Sequence, residues 1–180
     1  MTSPFEALLG HNFDRLPPPV QRLHGLSRDT EYAGRADVTV APNPVARLIC
    51  LLSGLPQSGT DVPVTVAYRI DERRGETWQR RFAGRRYASR FSFGRLAGED
   101  LLTERFVPFR LYHRVAASRG GLTWRLVAWR IFGIPLPNWA RPDVRCFESA
   151  DGERFMFDID IALPLIGAIV HYRGWLLPQG

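Results

Sequence analysis

Three titratable residues lie at positions where a β-strand would place apolar side chains. Arg80, Glu104 and His113 each alternate with large apolar residues in short, β-like segments. Because successive side chains of a strand point to opposite faces, this spacing predicts that all three face the buried side of a sheet. An unpaired charge in a core costs several kcal/mol, so each group needs a partner, water or a ligand. The flanking apolar residues are Trp78 and Phe82, Leu102 and Phe106, and Leu111 and Val115.

The three residue types are suited to more than one role. Arg80 and Glu104 carry the groups for a charge-assisted, bidentate pair, and histidine is the side chain that ordinarily titrates near neutral pH. Such a cluster can orient the polar group of a ligand. Alternatively, it can catalyse proton abstraction, with His113 or Glu104 as general base and Arg80 stabilising the oxyanion that develops. A structural ion pair that sets the register of the strands is the third interpretation.

Aromatic residues share the faces of these charges. Trp78 and Phe82 flank Arg80, while Tyr87 and Phe91 alternate with Ser89 on the following segment. Aromatic residues at such positions form a core, and a ligand cavity uses the same residues. The candidate ligand-binding set is therefore Arg80, Glu104, His113, Trp78, Phe82, Tyr87 and Phe91.

Four further titratable residues have weaker patterns. Glu148 follows Cys146 at an inward position, and His171 shares the register of Trp175. Asp158 and Asp160 alternate with apolar residues and are predicted to face outward.

No cofactor or metal site is expected from the sequence. It has no GxGxxG, Walker-type, GxSxG or HExxH motif, and its two cysteines, Cys50 and Cys146, are far apart with no CxxC. A structural metal or a disulfide framework is therefore not predicted.

The elements that must position these residues are mainly strands. Helices are predicted after Ser3-Pro4, after the proline run 17–19, and near 43–53, where apolar residues recur at helical spacing. Almost everything after Pro63 alternates with period two between turn signals, including Asp71 to Gly75, and a proline-rich loop covers 133–142. Nine or ten successive strands with short turns predict a mainly β, antiparallel meander that curls into a barrel or a strongly curved half-barrel, because open edges are costly. Residues 1–180 are predicted to form a single domain.

The charge of the chain has two interpretations. All 24 basic residues are arginine and the net charge is +6, which is typical of partners such as nucleic acid. The arginines alternate with acidic residues along the strands, however, which favours a solvated sheet face. Their densest groups are Arg73-Arg74, Arg80-Arg81 and Arg85-Arg86.

The sequence predicts a cytoplasmic protein. Its first residues lack the basic region and apolar run of a signal peptide, and no segment has the roughly 18 apolar residues of a membrane span. The apolar stretch 161–177 has residues that suit a membrane interface, but Pro164 and Gly167 interrupt it and favour a core hairpin.

Six segments of the sequence are distinctive in combination: Phe13–Pro17, Arg22–Gly25, Ala46-Arg47-Leu48 through Gly54-Leu55-Pro56, Thr77–Phe82, Glu104–Arg105 and His171–Leu176. Through these segments the chain resembles a bacterial family described only as a domain of unknown function, number 4166, over nearly its whole length. The resemblance assigns no activity and no catalytic residue. In some larger proteins this domain is similar to a C-terminal partner of an NAD-binding, dehydrogenase-like domain, so it implies at most a redox protein of that kind as a partner.

Three functions follow as hypotheses. The first is binding of a small apolar ligand with a polar or acidic group inside a β-barrel, oriented by Arg80 with Glu104 and His113. The second is an enzyme of the same shape that uses His113 or Glu104 as general base. The third is a structural or accessory domain that partners a dehydrogenase-like protein.

Overall fold

The computed structural model describes residues 2–71 and 75–179, and in these ranges the chain forms a closed antiparallel barrel of ten strands with one short strand outside it. The predicted turn at 71–75 and the Arg73-Arg74 pair include residues 72–74, which lie outside the described part. The strands are β1 (Thr30–Val40), β2 (Gly59–Ile70), β3 (Glu76–Phe82), β4 (Arg85–Leu96), β5 (Glu99–Phe106), β6 (Phe109–Ser118), β7 (Gly121–Ile131), β8 (Ile134–Pro135), β9 (Asp143–Asp151), β10 (Arg154–Leu163) and β11 (Gly167–Pro178).

The barrel closes because its two outermost strands pair with each other. The hydrogen-bonded order runs β6-β5-β4-β3-β2-β1-β11-β10-β9-β7, and β6 also pairs with β7. Closure leaves no open edge among the ten strands, and β8 pairs with β7 on the outside. The predicted mainly β, antiparallel fold is confirmed, and of the two predicted forms the barrel is closed.

The antiparallel order places alternate connections at opposite ends of the barrel. We call the end that contains the connections after β1, β3, β5, β7 and β10 the upper end; they span 41–58, 83–84, 107–108, 132–142 and 164–166. The other end, which we call the lower end, contains the connections at 97–98, 119–120 and 152–153.

Two short helices pack at the lower end. In α1 (Pro4–Leu9), Ser3 and Glu6 form a reciprocal capping box, as Ser3-Pro4 predicts. α1 contacts β4, β5 and β6, and α2 (Pro18–His24) contacts β9 and β10. Phe5 is fully buried against the rings of Trp78 and Trp124. The helices therefore close this end of the barrel, and Gly10–Arg15 joins them as a 3-10 helix.

A third helix, α3 (Pro44–Leu52), lies at the upper end. Asn43 caps it by accepting a hydrogen bond from the backbone N–H of Val45. The helix contacts β1 and β11 and buries two small side chains, Ala46 and Cys50. No helix in the described ranges is long and apolar enough to cross a membrane.

Three local expectations are resolved by the structure. The stretch 161–177 belongs to the β10–β11 hairpin, as predicted. The predicted loop at 133–142 contains β8 and a 3-10 turn at Asn138–Ala140. His171, the weakest of the inward candidates, lies on the outside, where it is bound to Asp158, because β11 turns Val170, Tyr172 and Leu176 into the core.

Candidate functional site

The barrel interior contains a cavity of about 150 Å³. All seven residues of the candidate set line it: Trp78, Arg80, Phe82, Tyr87, Phe91, Glu104 and His113. The rest of the lining is mainly apolar side chains from the other strands and Leu55, which follows α3. The inward register predicted for β3, β4, β5 and β6 therefore brings these residues together on one surface.

Arg80 is held by rings and by one hydroxyl. Its guanidinium carbon lies 4.8 Å from the ring centroid of Trp78, 5.1 Å from that of Tyr87 and 5.5 Å from that of Phe91. Its Nη1 donates to Ser89 Oγ at 2.7 Å. Cation–π contacts at these distances hold a charge where water is scarce.

The bidentate pair expected between Arg80 and Glu104 does not form in the described structure. Glu104 instead accepts a hydrogen bond at 3.0 Å from Nε2 of His113. Burial opposes ionisation of Glu104, but the hydrogen bond and charge of His113, the charge of Arg80 and a hydrogen bond from Ser89 together lower its pKa. The carboxylate therefore stays ionised, and Arg80 acts on it through space.

His113 has little contact with the cavity through its nitrogens. Nε2 is engaged by Glu104, and Nδ1 is buried with no hydrogen-bond partner among the described residues. The register of the β6–β7 pair shifts beside His113, because β7 has one extra residue, Val127, opposite Tyr112 and His113.

Two tyrosines add hydroxyl groups to the cavity. The Tyr87 and Tyr172 oxygens are 3.5 Å apart, and both residues line the cavity. Burial raises the pKa of both phenols, that of Tyr172 well above its usual value. They therefore remain protonated donors beside Arg80, which interacts electrostatically with both.

A second polar cluster lies nearer the lower end. His24 Nε2 and Glu148 Oε2 are 2.6 Å apart, with both side chains at most 3% exposed. Trp124 Nε1 donates to the same carboxylate oxygen at 3.2 Å. The pair links α2 to β9 and fixes the helix against the barrel.

Glu76 is the most isolated acid of the interior. It is 1% exposed, and its Oε2 accepts from Trp78 Nε1 at 2.8 Å, while Oε1 has no partner among the described residues. Burial raises its pKa to about 7, against opposing effects of His24 and the Trp78 hydrogen bond. The residue is therefore half protonated near neutral pH.

The sequence interpretation overlooked Glu76, His24 and Tyr172. Glu76 is in register with Trp78 and Arg80, and His24 lies at helical spacing from Val20, so both had a signal. Tyr172 required the other register of β11. Among the described residues there is no group of three or more His, Cys, Asp or Glu placed to hold a metal ion.

Residues 16–176 match the family described as Domain of unknown function (DUF4166). The chain belongs to this family. The match covers nearly the whole chain and agrees with the resemblance seen in the sequence. No curated protein and no solved structure matches the chain.

Proposed function

We propose that this DUF4166 domain binds a small apolar molecule that bears one carboxylate. The observation that supports it is the convergence of Arg80, Tyr87 and Tyr172 on a cavity that is otherwise lined mainly by aromatic and aliphatic side chains. Such a combination of apolar walls with a few polar groups is typical of small-molecule sites.

Arg80 has donors left for a ligand. Its Nη1 is used by Ser89, while Nε and Nη2 make no hydrogen bond within the described part of the chain. A guanidinium has five N–H donors in a fork that matches a carboxylate. The hydroxyl groups of Tyr87 and Tyr172 are two further O–H donors. A bound carboxylate accepts hydrogen bonds from such donors as well as from the guanidinium.

The cavity volume limits the ligand. An apolar cavity of ~150 Å³ binds benzene, whereas pockets for drug-sized molecules are ~300–1,000 Å³. The observed volume of about 150 Å³ therefore suits a single ring or a short branched chain beside the carboxylate. Apolar surface removed from water would contribute roughly 25 cal/mol per Å².

Binding is better supported than the alternative with a general base. The pKa of Glu104 is lowered, which weakens it as a base. His113 has one nitrogen on Glu104 and the other buried, so neither faces a bound molecule. Catalysis by these residues and an accessory role beside an NAD-dependent, dehydrogenase-like protein stay predictions.

The test is calorimetric titration of the protein with benzoate, phenylacetate and 3-methylbutanoate, compared with toluene as a neutral probe. Arg80→Met removes the charge but keeps an apolar stem. Hydrogen bonds to charged groups contribute ~1.5–3 kcal/mol, so this substitution should weaken carboxylate binding about 10- to 150-fold. It should leave toluene binding nearly unchanged. Arg81→Met, on the neighbouring exposed position of β3, is the matched control.

Tyr172→Phe removes one hydroxyl and keeps the ring. It should weaken the same carboxylate about fivefold, in line with a neutral hydrogen bond of ~1 kcal/mol. Thermal unfolding of each variant checks that the barrel is intact. If none of the three acids binds, or if Arg80→Met binds them as well as Arg81→Met does, the proposal is wrong.

A further inference from the structure

Large apolar side chains are exposed almost exclusively at one end of the barrel. Of the eleven exposed large hydrophobic residues in the described ranges, nine lie at the upper end. The other two, Phe93 and Phe147, lie on strands. We call the nine the apolar rim: Val45, Leu48, Leu51 and Leu52 of α3, and Val107, Phe132, Ile134, Trp139 and Leu165 of the connections.

The helix α3 contributes to the rim by an unusual orientation. It buries Ala46 and Cys50 and exposes its larger residues, with Leu52 at 78% exposure. A helix ordinarily turns its large apolar face to the core. The exposed apolar face of α3 is therefore free to contact another apolar surface.

The remaining rim residues are at the tips of three separate connections. Val107 is 94% exposed, Trp139 74% and Leu165 100%. Large apolar side chains exposed together at one end of a protein indicate a protein or membrane contact. Tips that project from different connections at one end suit a broad, deformable surface better than a groove for a single segment.

The charge of the upper end indicates which kind of partner it contacts. The upper-end connections, taken with up to three strand residues on either side of four of them, span 41–58, 81–87, 105–110, 130–142 and 162–168, and contain eight arginines and no Asp or Glu. None of these arginines is in an ion pair with a described residue. Asp61 and Asp143, which lie beside this end, are already paired with Arg35 and Arg145. Acidic residues are instead frequent at the lower end, as in Glu99-Asp100.

We propose that the upper end docks on the surface of an anionic lipid membrane. The rim inserts its apolar tips at the level of the headgroups, Trp139 sits at the interface, and the unpaired arginines meet the lipid phosphates. Two residues of the cavity lining, Phe106 and Ile161, lie near the same end and are half-buried. The docking is independent of the proposed ligand and stands without it.

The test is co-sedimentation with vesicles of phosphatidylcholine, with and without a third of phosphatidylglycerol. The protein should bind the anionic vesicles, bind phosphatidylcholine much more weakly, and dissociate as salt rises. The double variant Leu51→Gln with Leu52→Gln should lower the partition coefficient at least tenfold. Phe93→Gln with Phe147→Gln is its control, because it removes two exposed large apolar side chains, 44% and 43% exposed, that lie away from the rim.

The electrostatic part has its own pair of variants. Arg85→Gln with Arg86→Gln should weaken binding about fivefold per arginine, from ~1 kcal/mol for each basic residue near an anionic surface. Arg95→Gln with Arg114→Gln gives the same change of net charge on residues that are already in ion pairs.

Four results would overturn the proposal. The first is no binding to anionic vesicles at low salt, and the second is an equal loss of binding in the control variants. The third is self-association that the leucine variants abolish, with no vesicle binding. The fourth is binding to a DNA duplex that the leucine variants leave unchanged, again with no vesicle binding. The first and third point to a second copy or another partner, and the last to nucleic acid.

Discussion

Glu76 should make the stability of the barrel fall as pH rises towards neutrality. Its folded pKa is about 7, compared with an ordinary value of 4.5. The folded protein therefore keeps a proton that the unfolded chain releases between these values, so the unfolded state gains stability relative to the folded state over that range. Below about pH 4.5 the carboxyl is protonated in both states and no stability is lost. The loss of unfolding free energy grows from there to about pH 7 and is nearly complete above that pH.

The size of the effect follows from the two pKa values. The difference between about 7 and 4.5, at ~1.36 kcal/mol for each pH unit, corresponds to about 3 kcal/mol. Glu76→Gln does not titrate and keeps a side-chain oxygen for the Trp78 N–H. Relative to the native protein, it should therefore gain about 3 kcal/mol of unfolding free energy between about pH 4 and pH 8.

Urea unfolding, followed by circular dichroism at several pH values, measures this difference. Groups that titrate equally in both proteins cancel, so the pH dependence of the difference belongs to Glu76 and the residues coupled to it. Glu153→Gln, whose carboxylate is 78% exposed, should give a nearly flat difference. A flat difference for Glu76→Gln as well would refute the argument that burial dominates its ionisation.

Two further predictions concern buried groups. His24→Ala leaves the buried Glu148 carboxylate with Trp124 Nε1 as a donor but without its histidine partner, and should lower the unfolding free energy by about 3–5 kcal/mol. His171→Ala removes an exposed pair with Asp158 and should change it by less than about 1 kcal/mol in chemical denaturation. Equal losses in the two variants would contradict the role of the buried pair. Burial raises the pKa of both thiols, Cys50 and Cys146. Iodoacetamide at about pH 8 should therefore label neither cysteine in the native protein and both in urea, and rapid labelling of the native protein would contradict their burial.

Period-two alternation was enough to predict the strands and most of their faces. Arg80, Glu104 and His113 are in register with the apolar residues beside them, and a strand converts that register directly into a side of the sheet. β11 shows where the signal fails, because its apolar residues occur in both registers. His171 therefore had only a weak inward pattern, and Tyr172 was missed as a cavity residue.

Pairing between distant residues was beyond the sequence. Glu104 was predicted to pair with Arg80, and its observed partner, His113, depends on the register of the neighbouring strands β5 and β6. Glu148 is bound by His24, which is 124 positions away on a helix at the lower end. Such contacts depend on how the barrel closes and where the helices pack.

The three inward titratable residues, the antiparallel strands and the short helices were determined by local sequence, because alternation, capping residues and turn residues act over a few positions. Only the tertiary structure decided that the barrel is closed, that Arg80 stands beside two tyrosine hydroxyls instead of in an ion pair with Glu104, and that the exposed apolar residues gather at one end. The reason is that closure and strand order bring together residues that are separated by most of the chain, and local patterns carry no information about that distance.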